Sequence, residues 1–363
     1  MILLFMKKII GIAFLGMAIT LLACSRVPTI TPADKRIRYS GRVEFFADSA
    51  AALYWPGSSI KARFKGSGAY ALLKDVSGKN YYNVIIDGKV VRVFHPDTLK
   101  KWCLLAEGLK DTVHTLELFR RVDRGPTFFY GIRLNASGKY LPLPPPPRRN
   151  MEFYGNSITV GASVHDYSGH DYYDSTYTDN YVAYGAVTAR HYHAGYSCIA
   201  RGGIGLMVSW YPLIMPEMWD RLNPDDPASK WDFSGYTPDI VVINLFQNDA
   251  ALFERPDHPQ MLARFDGKVP DEKTVVAAYM DFLKKIRGVY PHARIICTLG
   301  CMNAVRADRP WRGYVRKAVE AMNDPEIYTY FFFYKGGYLH PQVEEQKRMA
   351  DSLITFIDKH IKW

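Results

Sequence analysis

Cysteine is scarce in this chain, with five in 363 residues. None forms a C-x-x-C pair or stands at the Cys/His spacing of a zinc site, so zinc ribbons, thioredoxin-type motifs and disulfide-stapled scaffolds are excluded. No metal and no cofactor is implied. Runs of one charge are also missing. Lys and Arg outnumber Asp and Glu by 46 to 36, a formal net charge of +10, but they are scattered along the chain. Scattered basic residues make a solvated surface, which argues against a nucleic-acid partner; a weaker second reading is attraction to acidic glycans or an anionic cell surface. There is no internal repeat, and only one proline run is of low complexity. Apolar residues at 48%, charged residues at 23%, 27 Gly and 22 Pro leave no room for a collagen-like, coiled-coil or disordered class.

What the chain has in surplus is aromatic residues. Twenty-five Tyr, 19 Phe and 7 Trp are more than a core needs, and surplus Tyr and Trp suit surfaces that stack on sugars. Many short strands would also favour them. The N-terminus carries Lys7-Lys8, then an apolar run Ile9–Ala23 broken only by Thr20, then Cys24. That run is too short to span a bilayer comfortably and has the build of a secretory signal. Leu21-Leu22-Ala23-Cys24 resembles a bacterial lipobox, in which acylated Cys24 becomes the first residue of the mature protein. The expectation is an exported protein held on a membrane by lipid on Cys24, with residues 1–23 as signal peptide and 24–37 as tether. Of the other cysteines, Cys103, Cys198, Cys297 and Cys301, Cys198 and Cys297 sit in apolar runs and read as buried thiols.

The length predicts two domains. Over 38–141 the runs Ser59–Phe64, Tyr70–Leu73, Tyr81–Ile86, Val90–Phe94 and Thr115–Phe119 are strand-like, separated by Gly66-Ser67-Gly68, Ser77-Gly78-Lys79 and Asp87-Gly88. Asp87-Gly88 is a two-residue hairpin signal. Together they predict an all-β sandwich of the jelly-roll kind. Residues 142–149, Pro-Leu-Pro-Pro-Pro-Pro-Arg-Arg, cannot pair inside a sheet and read as a stiff linker. Over 150–363 the grammar changes. Strand candidates Met151–Tyr154, Tyr196–Ala200, Ile240–Leu245, Arg294–Leu299 and Ile327–Phe333 alternate with helical spacing at Asn180–His191, Glu272–Arg287 and near the C-terminus. Such alternation predicts a parallel sheet with helices on both faces, and chemistry at the carboxyl ends of its strands.

Three polar residues arrive at that edge. Ser157 follows the first strand in Gly155-Asn156-Ser157, Asn248 follows the third in Gln247-Asn248-Asp249, and His340 follows the last, before a helix that Pro341 can start. Nucleophile, oxyanion donor and general base are the parts acyl transfer needs. Their order resembles the SGNH hydrolase superfamily, whose blocks read Gly-Asp-Ser, Gly, Gly-x-Asn-Asp and Asp-x-x-His. A sandwich in front, with Gly41-Arg42, Trp55-Pro56-Gly57-Ser58, Ile86-Asp87-Gly88, Phe119-Arg120-Arg121 and Phe129-Tyr130-Gly131, resembles carbohydrate esterase family 2, as does Trp231-Asp232-Phe233 leading into Val241–Leu245. The resemblance covers roughly residues 38–363. It implies a three-layer α/β hydrolase domain with a flavodoxin-like sheet behind a jelly roll. It also implies Ser157 as nucleophile, His340 as base, and an oxyanion hole from the N–H groups of Ser157 and Gly203 with the side chain of Asn248. Gly203 is chosen over Gly202 and Gly205 by alignment to the family's Ser-Gly-x-Gly.

Three positions depart from the pattern. Asn156 replaces the Asp of the serine block, an isosteric change. Phe246 replaces the Gly before Gln247-Asn248 and is expected to add a ring at the pocket mouth. Gly337 stands where the triad Asp is expected, three residues before His340, so the resemblance implies a Ser157–His340 dyad with the imidazole held by a backbone carbonyl or another group; Glu344 and Glu345 are read as facing solvent. The ligand-rich stretch His165–Asp171 reads as a loop bordering the cleft, ahead of metal binding. His191 and His193 read as capping or packing residues. Trp210, Trp219, Trp231 and Trp311 are candidates for sugar stacking, with core packing equally open to each. The functional expectation is an exported, lipid-anchored serine esterase that removes acetyl groups from xylan- or mannan-type polysaccharides. The alternatives are a carbohydrate-binding lipoprotein whose esterase has decayed, for which Gly337 and Phe246 speak, and an esterase for a lipid or peptidoglycan ester.

Overall fold

A computed structural model describes residues 27–363. The lipobox and the signal segment lie outside the described residues. From Thr29 to Leu141 the chain forms two antiparallel sheets of six strands each, packed face to face. Alternation along the strands drives this packing. Ser59–Gly66, for example, buries Ile60, Ala62 and Phe64 while Lys61, Arg63 and Lys65 face outward. The buried set forms one core with Leu73, Tyr82, Val84, Leu118 and Phe129. Asp87-Gly88 closes the hairpin between Tyr82–Ile86 and Lys89–Phe94, both turn residues having positive φ as a type I′ turn requires. The short strand Thr29–Ile30 pairs with Thr127–Leu134, so part of the segment read as a tether belongs to the sandwich. Two residues are too few to register as a strand; the partner strand recruits them, and Ile30 joins the core.

Pro144 and Pro145 lead out of the sandwich and are held there by Arg38, which donates to both carbonyls at 2.5 and 3.3 Å. The second domain is a five-stranded parallel sheet. Its spatial order is Gly195–Ala200, Asn150–Gly155, Ile240–Asn244, Arg294–Leu299 and Ile327–Phe331, that is 2-1-3-4-5 in chain order. Every residue of Ile240–Asn244 is buried, as expected of a central strand covered on both faces. Glu272–Val289 and Trp311–Met322 cover one face; Tyr184–His191 and Val343–His360 cover the other. The last helix starts two residues later than Pro341 suggests. Gln342 is its N-cap, with Glu345 reaching back to the Gln342 N–H at 2.8 Å. Among the described residues no helix is long and apolar enough to cross a membrane. Cys198, Cys297 and Cys301 are buried, and burial pushes their thiols up to about 12.

The two domains meet through buried polar contacts that account for several of the sandwich motifs. Arg42, fully buried, donates to the carbonyls of Trp219 and Arg221 at 2.6 and 2.9 Å, to the Tyr154 hydroxyl at 3.1 Å, and to Glu152 at 3.4 Å. Trp55 Nε1 donates to the Leu222 carbonyl at 2.7 Å, and Arg121 Nε to that of Thr178 at 3.1 Å. Gly57 must be glycine. A Cβ there would lie 2.4 Å from the Tyr196 ring and 2.5 Å from Asn180 Oδ1, and its φ is +75°.

Candidate active site

The strand Asn150–Gly155 ends where its two neighbours lead off in opposite directions, which opens a crevice at the switch point of the sheet. Ser157 opens the one-turn helix Ser157–Val160. Asn156 caps it, its Oδ1 accepting from the Ile158 N–H at 3.0 Å, so the Asn that replaces Asp keeps the turn's hydrogen bond. Gly155 allows the tight entry; a Cβ there would meet Thr159 Oγ1 at 2.0 Å. His340 places Nε2 2.7 Å from Ser157 Oγ.

What holds the other side of His340 corrects the expected dyad. Asp171, from the loop after the nucleophile, places both carboxylate oxygens 2.9 Å from His340 Nδ1, and its Oδ1 also accepts the His340 backbone N–H at 3.1 Å. Gly337 sits in an exposed turn with φ +72°, and no carboxylate is needed there. Burial pushes the Asp171 carboxyl up, but the hydrogen bond and charge of His340 outweigh it and hold the group below the usual carboxylate range. Glu344 and Glu345 are engaged elsewhere. Glu344 accepts from the Tyr167 hydroxyl at 3.2 Å, and Glu345 serves the helix cap and Lys335.

The stretch that looked rich in metal ligands is thus a cleft-border loop that delivers a carboxylate. Asp166 clamps it, accepting from Ser168 N at 2.9 Å and Tyr172 N at 2.6 Å, while Gln342 Nε2 donates to the Asp166 carbonyl at 2.7 Å. His165 turns away to Asp179 at 3.2 Å. His191 packs edge-on against Tyr192, and the His193 N–H bonds to the Arg190 carbonyl, closing the helix end.

Three glycines compete for the oxyanion role. The Gly202 N–H is taken by Asp123 Oδ2 at 2.7 Å and that of Gly205 by Ser209 Oγ at 2.8 Å. Gly203, at φ +78°, keeps an N–H with no protein acceptor among the described residues, as does Ser157. Asn248 is oriented from both ends of its amide. Trp210 Nε1 donates to its Oδ1 at 3.0 Å, and its Nδ2 donates to the Ile204 carbonyl at 2.7 Å, leaving one N–H for a ligand. Asp249, fully buried, ties the same loop by accepting from Leu206, Met207 and Val208 at 3.0, 2.6 and 3.1 Å; burial nevertheless keeps its carboxyl above the usual range.

The cleft over Ser157 has a volume of about 410 Å³ and is walled by Trp210, Tyr338, Arg255, Met302 and Asn303. Trp210 is 38% exposed and Tyr338 74%, so both rings are accessible from the cleft, Trp210 with the Arg255 guanidinium over its ring at 5.0 Å. Trp219 packs on Phe233, Trp231 lies under Arg42, and Trp311 is buried against Phe246 with an edge at the cleft. Phe246 is not at the pocket mouth. It is fully buried, 5.0 Å from the Tyr279 ring and 5.1 Å from that of Trp311, with φ +73°. The left-handed backbone explains a glycine in the superfamily pattern, and core packing holds the Phe in its place.

Residues 39–144 match the family described as carbohydrate esterase 2 N-terminal. Over 340 residues the chain is 30% identical to the cellulase/esterase CelE of Acetivibrio thermocellus; the match covers 90% of this chain and 40% of that protein's length. It is 22% identical over 349 residues to an acetylxylan esterase / glucomannan deacetylase of Cellvibrio japonicus, covering 93% of each. A solved family two carbohydrate esterase from Clostridium thermocellum, in complex with cellohexaose, superposes with a TM-score of 0.79 at 30% identity, covering 89% of this chain and 98% of that one. The chain belongs to carbohydrate esterase family 2.

Proposed function

We propose that this protein is a serine esterase that removes O-acetyl groups from polysaccharides or oligosaccharides of the xylan and mannan type. The observation that carries the reading is the relay Ser157 Oγ–His340 Nε2 at 2.7 Å and His340 Nδ1–Asp171 at 2.9 Å, at the base of an open, aromatic-walled cleft. Ser157 Oγ attacks the acetyl carbonyl carbon as His340 Nε2 takes its proton. Asp171 keeps the Nδ1–H tautomer in place and balances the imidazolium that forms. The oxyanion accepts from the N–H groups of Ser157 and Gly203 and from Asn248 Nδ2. His340 then protonates the departing sugar oxygen, leaving acetyl-Ser157. Water attacks that ester, giving its proton to Nε2, and acetate leaves as Ser157 is restored.

Aromatic rings at Trp210 and Tyr338 support a sugar as the alcohol part, and the names of the relatives support acetylated xylan and glucomannan as substrates. We read the sandwich as a jelly roll and the second domain as an SGNH-type hydrolase. The test is acetate release from acetylated xylan and glucomannan, with 4-nitrophenyl acetate as control, by wild type and Ser157→Ala. Turnover on a glycan that vanishes in the variant supports the reading. Turnover on the small ester alone would refute the glycan substrates.

We also propose that the protein is exported and held on a membrane by lipid on Cys24; the support is the Lys7-Lys8, Ile9–Ala23 and Leu21–Cys24 pattern. A palmitate analogue should label wild type but not Cys24→Ser. Equal labelling of both would refute the anchor.

A further inference from the structure

Asp123 belongs to the sandwich, in the turn between the strands Thr112–Arg120 and Thr127–Leu134, yet among the described residues its carboxylate makes no hydrogen bond within that domain, where it has only the Arg124 guanidinium at 4.0 Å. Its side chain is only 6% exposed. Oδ2 accepts the Gly202 N–H at 2.7 Å, and the carboxylate accepts the Tyr173 hydroxyl at 2.8 and 3.0 Å. Gly202 precedes the oxyanion glycine, Gly203. Tyr173 stands two residues after Asp171, and its ring lies over His340 at 6.3 Å with an interplanar angle of 21°. One carboxylate from the first domain therefore grips both the loop that turns an amide toward the substrate and the loop that orients the base.

Local packing shows how tightly the parts are set. A Cβ on Gly202 would fall 1.9 Å from the Tyr173 hydroxyl, so that hydroxyl occupies the only space a side chain could use. The Arg124 guanidinium covers the other face of this cluster, 4.3 Å from the Tyr173 ring centre, and donates to the Tyr173 carbonyl at 3.3 Å. With the Gly202 N–H committed to Asp123, the peptide plane between Arg201 and Gly202, one before that of the oxyanion amide, is pinned. The Tyr211 hydroxyl donates to the Gly202 carbonyl at 3.0 Å and pins the next plane, the one that carries the Gly203 N–H. The Gly203 N–H then has one direction left.

We infer that Asp123 is a positioning residue for hydrolysis, so that the sandwich completes the active site rather than only adjoining it. The inference rests on the serine-esterase reading above. Its effect belongs to the transition state: an oxyanion donor and a base held in register raise kcat, whereas ground-state sugar contacts at Trp210 and Tyr338 set KM.

The experiment measures kcat and KM for 4-nitrophenyl acetate, and the rate at which an alkyl fluorophosphonate labels Ser157, in wild type, Asp123→Ala, Asp123→Asn and Tyr173→Phe. Misplacing such groups by an ångström costs about a hundredfold, so Asp123→Ala should lower kcat and labelling by about ten- to a hundredfold with KM within about twofold. Asp123→Asn keeps the size and one acceptor and should recover part of the loss; if the Ala variant does not fold, it carries the same reading. Tyr173→Phe should lower kcat less, because the Gly202 contact survives. An unchanged kcat and labelling rate in both Asp123 variants overturns the inference, as does a loss confined to KM. A wild type that labels at Ser157 but releases no acetate, with labelling slowed by Asp123→Asn, would refute the acetylesterase reading and leave the positioning role standing.

Discussion

Asp171→Asn removes one charge from a pair on which the proposed chemistry depends. The imidazolium formed at His340 faces the Asp171 carboxylate with Nδ1 and both oxygens 2.9 Å apart, and the two side chains are 18% and 20% exposed. At about 4 Å between charge centres and an effective dielectric constant of about 20, the attraction is about 4 kcal/mol, or about a thousandfold in rate. The substitution has a second effect. An amide can present its N–H to Nδ1, which moves the ring proton to Nε2, the atom that must accept from Ser157. Asp171→Ala leaves Nδ1 to water and should be less severe than Asp171→Asn. The assay is kcat on 4-nitrophenyl acetate for the three proteins, with near-ultraviolet circular dichroism to establish an intact fold. A folded Asp171→Asn within about tenfold of wild type would refute the triad and restore a dyad.

Other consequences follow from the same contacts. Phe246→Ala should destabilise the protein by about 3 kcal/mol or more in urea unfolding while leaving the acetate-over-butyrate preference intact; a broadened acyl preference would return the ring to the pocket. Arg42→Ala leaves Glu152 buried without its cation and should cost about 3–5 kcal/mol, read as a lowered denaturation midpoint, whereas an unchanged midpoint would mean the interdomain pair carries no stability. Because the folded protein holds Asp171 below its ordinary value of 3.8, its stabilising contribution is complete above that value and is lost as pH falls through the lower folded one. The stability advantage of wild type over Asp171→Asn should therefore shrink on acidification below pH 3.8, and an advantage that grows there would contradict the sign.

Much of this protein was legible in its sequence because much of it is periodic. A buried parallel strand must be apolar throughout, and the five runs of the second domain announced themselves within a residue or two at most ends. Chain order around such a sheet then brought Ser157, Gly203, Asn248 and His340 to one edge, since each follows the carboxyl end of a parallel strand. Asp171 could not be read the same way. It lies in an irregular loop, 169 residues from His340, and only the clamp of Asp166 and Gln342 brings it to the ring. A carboxylate in such a loop carries no periodic signal, and the empty place at Gly337 pointed elsewhere. Phe246 was misplaced for a related reason: sequence position put it beside the site, whereas the direction of its side chain was settled by a positive φ and by the space between Tyr279 and Trp311. The grip of Asp123 on Gly202 and Tyr173 likewise exists only once two domains have packed. Local pattern determined the elements and their order; the tertiary structure decided which loop reached which atom, because hydrogen bonds between distant loops depend on packing that no local spacing encodes.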